Sequence, residues 1–286
     1  ALATQIAHEE KVDFFCCETG LGGRLDASNA LPAVATLLTT VGLDHQRILG
    51  GTLEEIAQEK LGLLKKGVPL FCGVSEDLRG QVFTAAVLSG CPCHFLDELA
   101  RWSGSPTARG SWDLTLREKV YQGLPDPGTV VMRRNVALAI LALSELEVGL
   151  GRGLLPDDPA DALGNLFLPG RYQTVLSDPD WIFDTAHNAQ ALESVWREFF
   201  SGPATGRRVV LFGSMYDKEM TADPGALRAG CDALIGVPVS LPRSRNREEL
   251  AGLLSSWGFP VVPWPKNGTD LPDATVAADI PQAVRL

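Results

Sequence analysis

The chain has 286 residues, 45% of them hydrophobic and 21% charged, and a formal net charge of −10. That length and composition suit a globular protein of about two domains, at roughly 100 to 200 residues each. The acidic balance excludes a broad nucleic-acid footprint or an anionic membrane surface as partner, because no wide basic face is available to attract phosphate. No apolar run reaches the roughly 18 residues that a membrane span requires.

The opening "ALATQIAHEEK" lacks the basic and apolar regions of a secretory signal, so a cytoplasmic location is expected. An apparent helix there leads into a predicted strand, "VDFFCCE" (12–18). A second strand, "VATLLTTV" (34–41), is followed by a helix (52–66), a strand (68–74), a helix (75–90) and a strand (93–96). Continuous apolar strands alternating with helices predict a mostly parallel sheet covered on both faces. From about 101 to 128, Gly, Ser and Pro separate short alternating runs, which suits an antiparallel excursion or a loop. A long helix (131–149) and an acidic, proline-containing segment follow, and the Pro-Gly turn at 169–170 puts a boundary near 168. Beyond it come strand 181–184, helix 189–200, strand 207–213, a helix near 223–229, strand 231–237, helix 246–257, strand 259–264 and a final helix, 275–286. The expected fold class is α/β, with domains at 1–168 and 169–286, the second the smaller.

The six cysteines fit a reducing compartment. Cys16 and Cys17 would point to opposite faces of the first strand, and Cys72 and Cys231 sit in apolar surroundings, so buried thiols are expected. Cys91, Cys93 and His94 have no second ligand pair at zinc-site spacing.

Open α/β sheets bind ligands at the carboxyl ends of their strands. Glu18 closes the first predicted strand, and Asp44 and His45 follow the second. A carboxylate and an imidazole placed there could share a divalent cation with nucleotide phosphates; the alternative is a carboxylate capping loop amides and a partly buried loop histidine. The loop 18–30 is not a Walker loop, since the chain contains no Gly-Lys dipeptide, nor a dinucleotide fingerprint, since Leu25 stands where a third glycine is needed. Lys60 lies on an amphipathic helix, where a solvated lysine is the ordinary reading. In the second domain Asp184 ends a strand, and His187 and Asn188 open a helix whose first turn offers amides to an anion. Asp184 could accept ribose hydroxyls and His187 approach phosphates or base, with helix capping as the alternative. Asp217 is read as the cap of the next helix, with Lys218 placed to reach an anion. Arg133, Arg134, Asn135 and Arg171 add cationic or amide groups near the boundary. No Ser/His/Asp or Cys/His nucleophile set is present, so the available chemistry is electrostatic stabilisation around phosphate.

Seven segments, "ETGLGGRLDASN", "TTVGLDH", "EIAQEKLGLLKKGVP", "RRNVALAILAL", "LPGRYQ", "FDTAHN" and "GSMYDKEM", taken in this order, resemble folylpolyglutamate synthase, often bifunctional with dihydrofolate synthase, in the Mur ligase superfamily. The resemblance implies part of a Mur-ligase central ATPase domain with a mostly parallel sheet, then a Rossmann-like C-terminal glutamate-ligase domain. It implies Glu18 and His45 as Mg2+ ligands, and Lys60 as the lysine carbamylated in many relatives to position a second Mg2+. Asn135, Arg171, Asp184 and His187 would bind ATP, with Lys218 near an acyl phosphate and the incoming glutamate. The implied reaction is ATP-dependent addition of L-glutamate to a folate or dihydropteroate through an acyl phosphate, by a monomer without nucleic-acid or membrane partners. The P-loop of that family would precede Ala1 and a closing strand would follow Leu286, so residues 1–286 alone are expected to bind ATP poorly and be inactive. A ligase acting on a UDP-linked cell-wall precursor, and a nucleotide-binding paralogue without catalysis, are the rival readings.

Overall fold

A computed structural model describes residues 2–103, 110–156, 158–202, 206–218, 220–265 and 272–284. They fall into two units, 1–99 with 138–152 and 100–137 with 153–286.

In the first unit, β1 (Thr36–Leu38), β2 (Leu70–Cys72) and β3 (Cys93–Phe95) form a parallel sheet in that order. The central β2 is Leu-Phe-Cys, buried at every position, as a parallel strand covered on both faces requires. It is accompanied by α1 (Leu2–Glu9), α2 (Gln46–Leu49), α3 (Leu53–Leu61), α4 (Glu76–Ser89), α5 (Leu96–Leu99) and residues 138–150 of a later helix. A capping box starts α3, in which Thr52 Oγ1 accepts the Glu55 amide and the Glu55 carboxylate accepts the Thr52 amide. Gly90, left-handed at φ 67, ends α4. Ile56 and Leu61 of α3, Leu78 and Val82 of α4, and Leu70, Phe95 and Val41 form the core.

The second unit begins with an antiparallel sheet, β4 (Ala100–Ser103), β5 (Ser111–Leu116) and β6 (Lys119–Pro125), in which Trp112, Leu114 and Leu116 alternate into the interior. Next come α6 (Val130–Leu150), whose residues 130–137 belong here, α7 (Pro159–Gly164) and a hairpin of β7 (Gln173–Ser177) and β8 (Asp180–Phe183). The remainder is α8 (Ala189–Ser201), β9 (Val209–Phe212), α9 (Gly225–Gly230), β10 (Ala233–Gly236), α10 (Arg247–Ser256), β11 (Val261–Val262), β12 (Ala274–Val276) and α11 (Ile280–Val284). Its four strands form an all-parallel sheet in the order β11-β12-β10-β9. Trp257 packs edge-on against Trp196 of α8 and Phe212 of β9, with ring centroids 5.2 and 5.0 Å apart. Among the described residues no helix is long and apolar enough to cross a membrane.

The mixed α/β architecture with parallel sheets is as expected, and the 101–128 excursion is antiparallel. Three expectations fail. Residues 12–18 form no strand: they find no pairing partner among the described residues, and Cys16 and Cys17 are exposed rather than buried. The predicted final helix, 275–286, is instead β12 followed by the short α11, because Ala274–Val276 pairs on both sides and is buried at every position. Asp217 does not cap a helix; α9 starts at Gly225, and Asp217 pairs with Arg243 at 2.9 Å. The antiparallel sheet and α7, which packs on β6, group with the later residues.

Arg133, one of the cationic groups near the expected boundary, is taken up inside the protein. Only 6% exposed, it forks onto Asp126, Nε to Oδ1 at 2.9 Å and Nη2 to Oδ2 at 2.6 Å, and reaches Glu198 Oε1 at 3.4 Å. Burial opposes the Arg133 charge, but Asp126 first and Glu198 second outweigh it and raise its pKa. Burial also pushes the Glu198 carboxyl above its ordinary range, against the pull of Arg133. Removing one partner of such a set strands buried charge, so Arg133→Ala is expected to cost about 3 to 5 kcal/mol. Glu198→Gln, which removes a charge that burial already opposes, is expected to cost markedly less. Urea unfolding midpoints check both; equal losses would mean that the Glu198 charge is as necessary as that of Arg133.

Candidate active site

In the first unit the loop 18–31 is built around Asp26. Its Oδ2 accepts the amides of Gly20 and Leu21, both at 3.0 Å, and its Oδ1 accepts the Ser28 amide at 2.9 Å and hydroxyl at 2.6 Å. The Ser28 hydroxyl and amide, with the Leu21 and Gly20 amides, hold the Asp26 carboxyl at about 2, below its ordinary 3.8. The carboxylate that caps this loop is therefore Asp26 rather than Glu18.

The loop is fastened to the end of α3. Arg24 places Nε and Nη2 on the Glu59 carboxylate at 2.9 to 3.2 Å, and its amide donates to Glu59 O at 2.8 Å. Asn29 Nδ2 donates to Arg24 O and Gly62 O, while Lys65 Nζ donates to Asn29 O and Oδ1. Glycine permits the approach: a Cβ on Gly23 would lie 2.8 Å from Lys60 O, and one on Gly22 2.8 Å from Leu49 of α2. These contacts bring the loop that starts at Glu18 against α3, which carries Lys60 in its last turn, and against α2, which His45 precedes. Glu18 is exposed, Lys60 half-buried and the His45 ring 50% exposed. His45 is left-handed at φ 53, its amide donating to Asp44 Oδ1 at 2.8 Å. Such a conformation is uncommon outside glycine, although histidine, asparagine and aspartate adopt it more readily than other residues.

In the second unit two turns are stitched together. Asp184, just past β8, accepts the Tyr172 amide on Oδ2 and the Ala186 amide on Oδ1, both at 2.7 Å. Thr185 donates its amide and its hydroxyl to Gly170 O, at 2.9 and 3.1 Å. Gly170 has φ 68, and a Cβ there would meet Thr185 Cγ2 at 2.7 Å, so only glycine suits the position. Arg171 Nη1 donates to Thr185 Oγ1 at 3.3 Å, and His187 Nδ1 lies 2.9 Å from Thr185 O. Three predicted residues, Arg171, Asp184 and His187, are thus gathered at one place. Asn188 is the N-cap of α8, accepting the Ala191 amide at 2.9 Å. Asn135 lies half-buried on α6, beside Arg134, whose guanidinium sits 5.8 Å from the centre of the Trp102 ring. Lys218 is on a separate turn, after β9.

Magnesium takes one or two carboxylates, phosphate oxygens and waters rather than a closed protein cage. Among the described residues no three His, Cys, Asp or Glu side chains gather to hold a metal by themselves. A carboxylate at Glu18 fits, by donor chemistry, an ion completed by a nucleotide and water. The residues that sequence reasoning missed are those that hold the site: Asp26, the Arg24–Glu59 pair, Asn29 with Lys65, and Thr185. Only Asp26 carried a local signal, as an aspartate two residues before a serine in a polar turn.

No protein-family model matches the chain. The dihydrofolate synthase/folylpolyglutamate synthase of Escherichia coli (strain K12) is 30% identical over 242 residues, which cover 85% of this chain and 55% of that protein. The protein of the same name from Bacillus subtilis (strain 168) is 32% identical over 222 residues, 74% of this chain and 50% of that one. The chain thus spans about half the length of the curated relatives that it matches. Among solved structures, the bifunctional folylpolyglutamate synthase/dihydrofolate synthase from Yersinia pestis, complexed with AMPPNP and Mn ion, superposes with a TM-score of 0.74 at 28% identity, covering 98% of this chain and 62% of that one. The resemblance found in the motifs holds in sequence and in fold over most of the chain.

Asp26 ties one pH dependence to the loop. Its folded pKa is depressed, so its stabilising effect is complete above the ordinary carboxylate value and is lost as pH falls through about 2. Asp26→Ala is expected to speed hydrogen exchange at the Gly20, Leu21 and Ser28 amides at neutral pH, leaving β2 unchanged. Unaltered exchange at those three amides would remove Asp26 from its place at the centre of the loop.

Proposed function

We propose that the protein acts as an ATP-dependent ligase that adds L-glutamate to a folate, with dihydropteroate as the second acceptor to be tested. It would work in the cytoplasm as a monomer, with ATP and Mg2+. The observation that carries this reading is the turn at Arg171, Asp184 and His187, fixed by amide bonds to Asp184 and by Thr185. It supports a preorganised contact with nucleotide, because the turn is ordered before any ligand arrives. The likeness to synthases over most of the chain supports the choice of substrate.

In the proposed reaction a substrate carboxylate attacks the γ-phosphate of ATP, ADP leaves, and an acyl phosphate forms. The amine of glutamate then adds to the acyl carbon, and phosphate leaves as the amide bond forms. Glu18 and His45 would hold Mg2+, which when bound offsets charge on phosphoryl oxygens. Lys60, fixed at the end of α3, is proposed as the carbamylated lysine, and Asn135 as a further contact to ATP. Arg171 and His187 would meet ATP from a turn that Asp184 holds, with Asp184 presenting its carboxylate to the ribose. Lys218 would bring an ammonium to the acyl phosphate, where charge builds in the transition state.

The full-length protein, given ATP, magnesium, glutamate and a reduced folate, is expected to yield folate heavier by one glutamyl residue in the mass spectrum. Glu18→Ala and His45→Ala are each expected to slow that gain by about 100-fold or more. No gain with any folate or pteroate, from protein that binds ATP, would favour the cell-wall precursor branch. Residues 1–286 alone, which contain no Gly-Lys dipeptide, are expected to bind ATP weakly and not to turn over. Efficient turnover by that chain would overturn this.

A further inference from the structure

Lys218 sits on a turn that has no helix or strand of its own. The turn leaves β9 at Phe212, and at Gly213 a Cβ would lie only 2.6 Å from Val237 O, so the segments following β9 and β10 run in close contact. What secures residues 214–218 is the segment 243–245. Met215 and Ser244 form an antiparallel bridge, the Arg245 amide donates to Ser214 O at 2.9 Å, and the Tyr216 amide donates to Arg243 O at 2.9 Å.

The Arg245 side chain then closes the turn. Its Nε donates to Ser214 Oγ at 3.1 Å and its Nη2 to Lys218 O at 2.9 Å. Ser214 is only 9% exposed, so its hydroxyl needs a partner inside the protein, and Arg245 supplies one. Arg245 is itself anchored from behind. Asn246 and Glu249 form the capping box that starts α10 one residue later, so the guanidinium is presented from the base of a helix.

We propose that Arg245 is a positioning residue for Lys218, its guanidinium gripping the turn at both ends, Ser214 Oγ and the Lys218 carbonyl, and so fixing the backbone from which the Lys218 side chain extends. This rests on the reading of Lys218 as the cation at the acyl phosphate. The geometry needs two donors in a rigid fork, which a lysine at 245 cannot offer although it keeps the charge.

The test is a double-mutant cycle in the full-length protein, scored by glutamyl transfer. Lys218→Met is expected to lower kcat. Arg245→Lys is expected to lower kcat by about 10- to 100-fold, the scale of a small misplacement of a reacting group, with KM for ATP changed by less than about twofold. Added to Lys218→Met, Arg245→Lys should lower kcat no further, since two residues acting through one group do not add. A full additional loss in the double variant, or unchanged kcat in Arg245→Lys alone, would overturn the positioning role while leaving Lys218 in place. Unchanged kcat in Lys218→Met would overturn the reading of Lys218, and the positioning role with it. Should Arg245→Lys lower the unfolding midpoint enough to obscure kinetics, Ser214→Ala removes only the Nε acceptor; it is expected to give a smaller fall in kcat that the Lys218→Met background likewise abolishes, and an additive fall would again overturn the proposal.

Discussion

Parallel strands buried on both faces are the constraint on which the rest of this chain depends. β2 and β10 have no exposed position, so their backbone groups are satisfied by neighbouring strands and their side chains by packing. Chemistry is then confined to the loops at the strand ends. In the second unit the strands of the parallel sheet all run the same way, so the loops following β9, β10 and β12 leave from one edge. That is how Ser214 and Arg245, 31 residues apart, come within hydrogen-bonding distance.

Loops so placed must be ordered without regular structure, and here short carboxylates do that work. Asp26 accepts two amides on one oxygen and an amide with a hydroxyl on the other. Asp184 accepts one amide on each oxygen, Ala186 from its own turn and Tyr172 from the turn that it fastens. Asp126 takes the Gly128 amide on the same oxygen that meets Arg133. In each case the side chain stands in for a strand or helix partner that the turn lacks. The consequence is preorganisation: Arg171 and His187, on the turns that Asp184 fastens, would lose less freedom on meeting a ligand than residues on unfastened turns.

Much of this was legible in the sequence, and what was not has physical causes. The apolar run of β2, the amphipathic α3 and the start of α8 at Asn188 are local signals read within a few residues. Residues 12–18 carry the apolar composition of a buried strand, but a strand exists only with a partner, and composition does not name one. Residues 274–276 are a short apolar run before more alanine, a pattern common to buried strands and helices. Pairing on both sides decides for a strand, with Thr275 donating its hydroxyl to Val262 O at 2.9 Å. Glu18, His45, Asp184, His187 and Lys218 could be picked by residue type and by place in the expected alternation. Their supports could not, because Arg24 and Glu59 are 35 residues apart and Asn29 and Lys65 36 apart.

The arginines show the same division most plainly. In a chain of net charge −10, any arginine near a strand end invites reading as an anion binder. Yet Arg24 faces Glu59, Arg79 faces Glu76 and Glu98, Arg133 faces Asp126 and Glu198, and Arg243 faces Asp217. Each pairing spends a cation on internal order rather than on attraction at a distance. The long-range field of an acidic protein repels a polyphosphate, so an anionic ligand can be held only at short range, by hydrogen bonds and by whatever cations the fold places in contact with it. Affinity for such a ligand then depends on the accuracy of a few turns more than on the charge of the surface. The residues that fix those turns, Asp26, Asp184, Thr185 and Arg245, would then bear on the proposed function as directly as the residues that would touch the ligand.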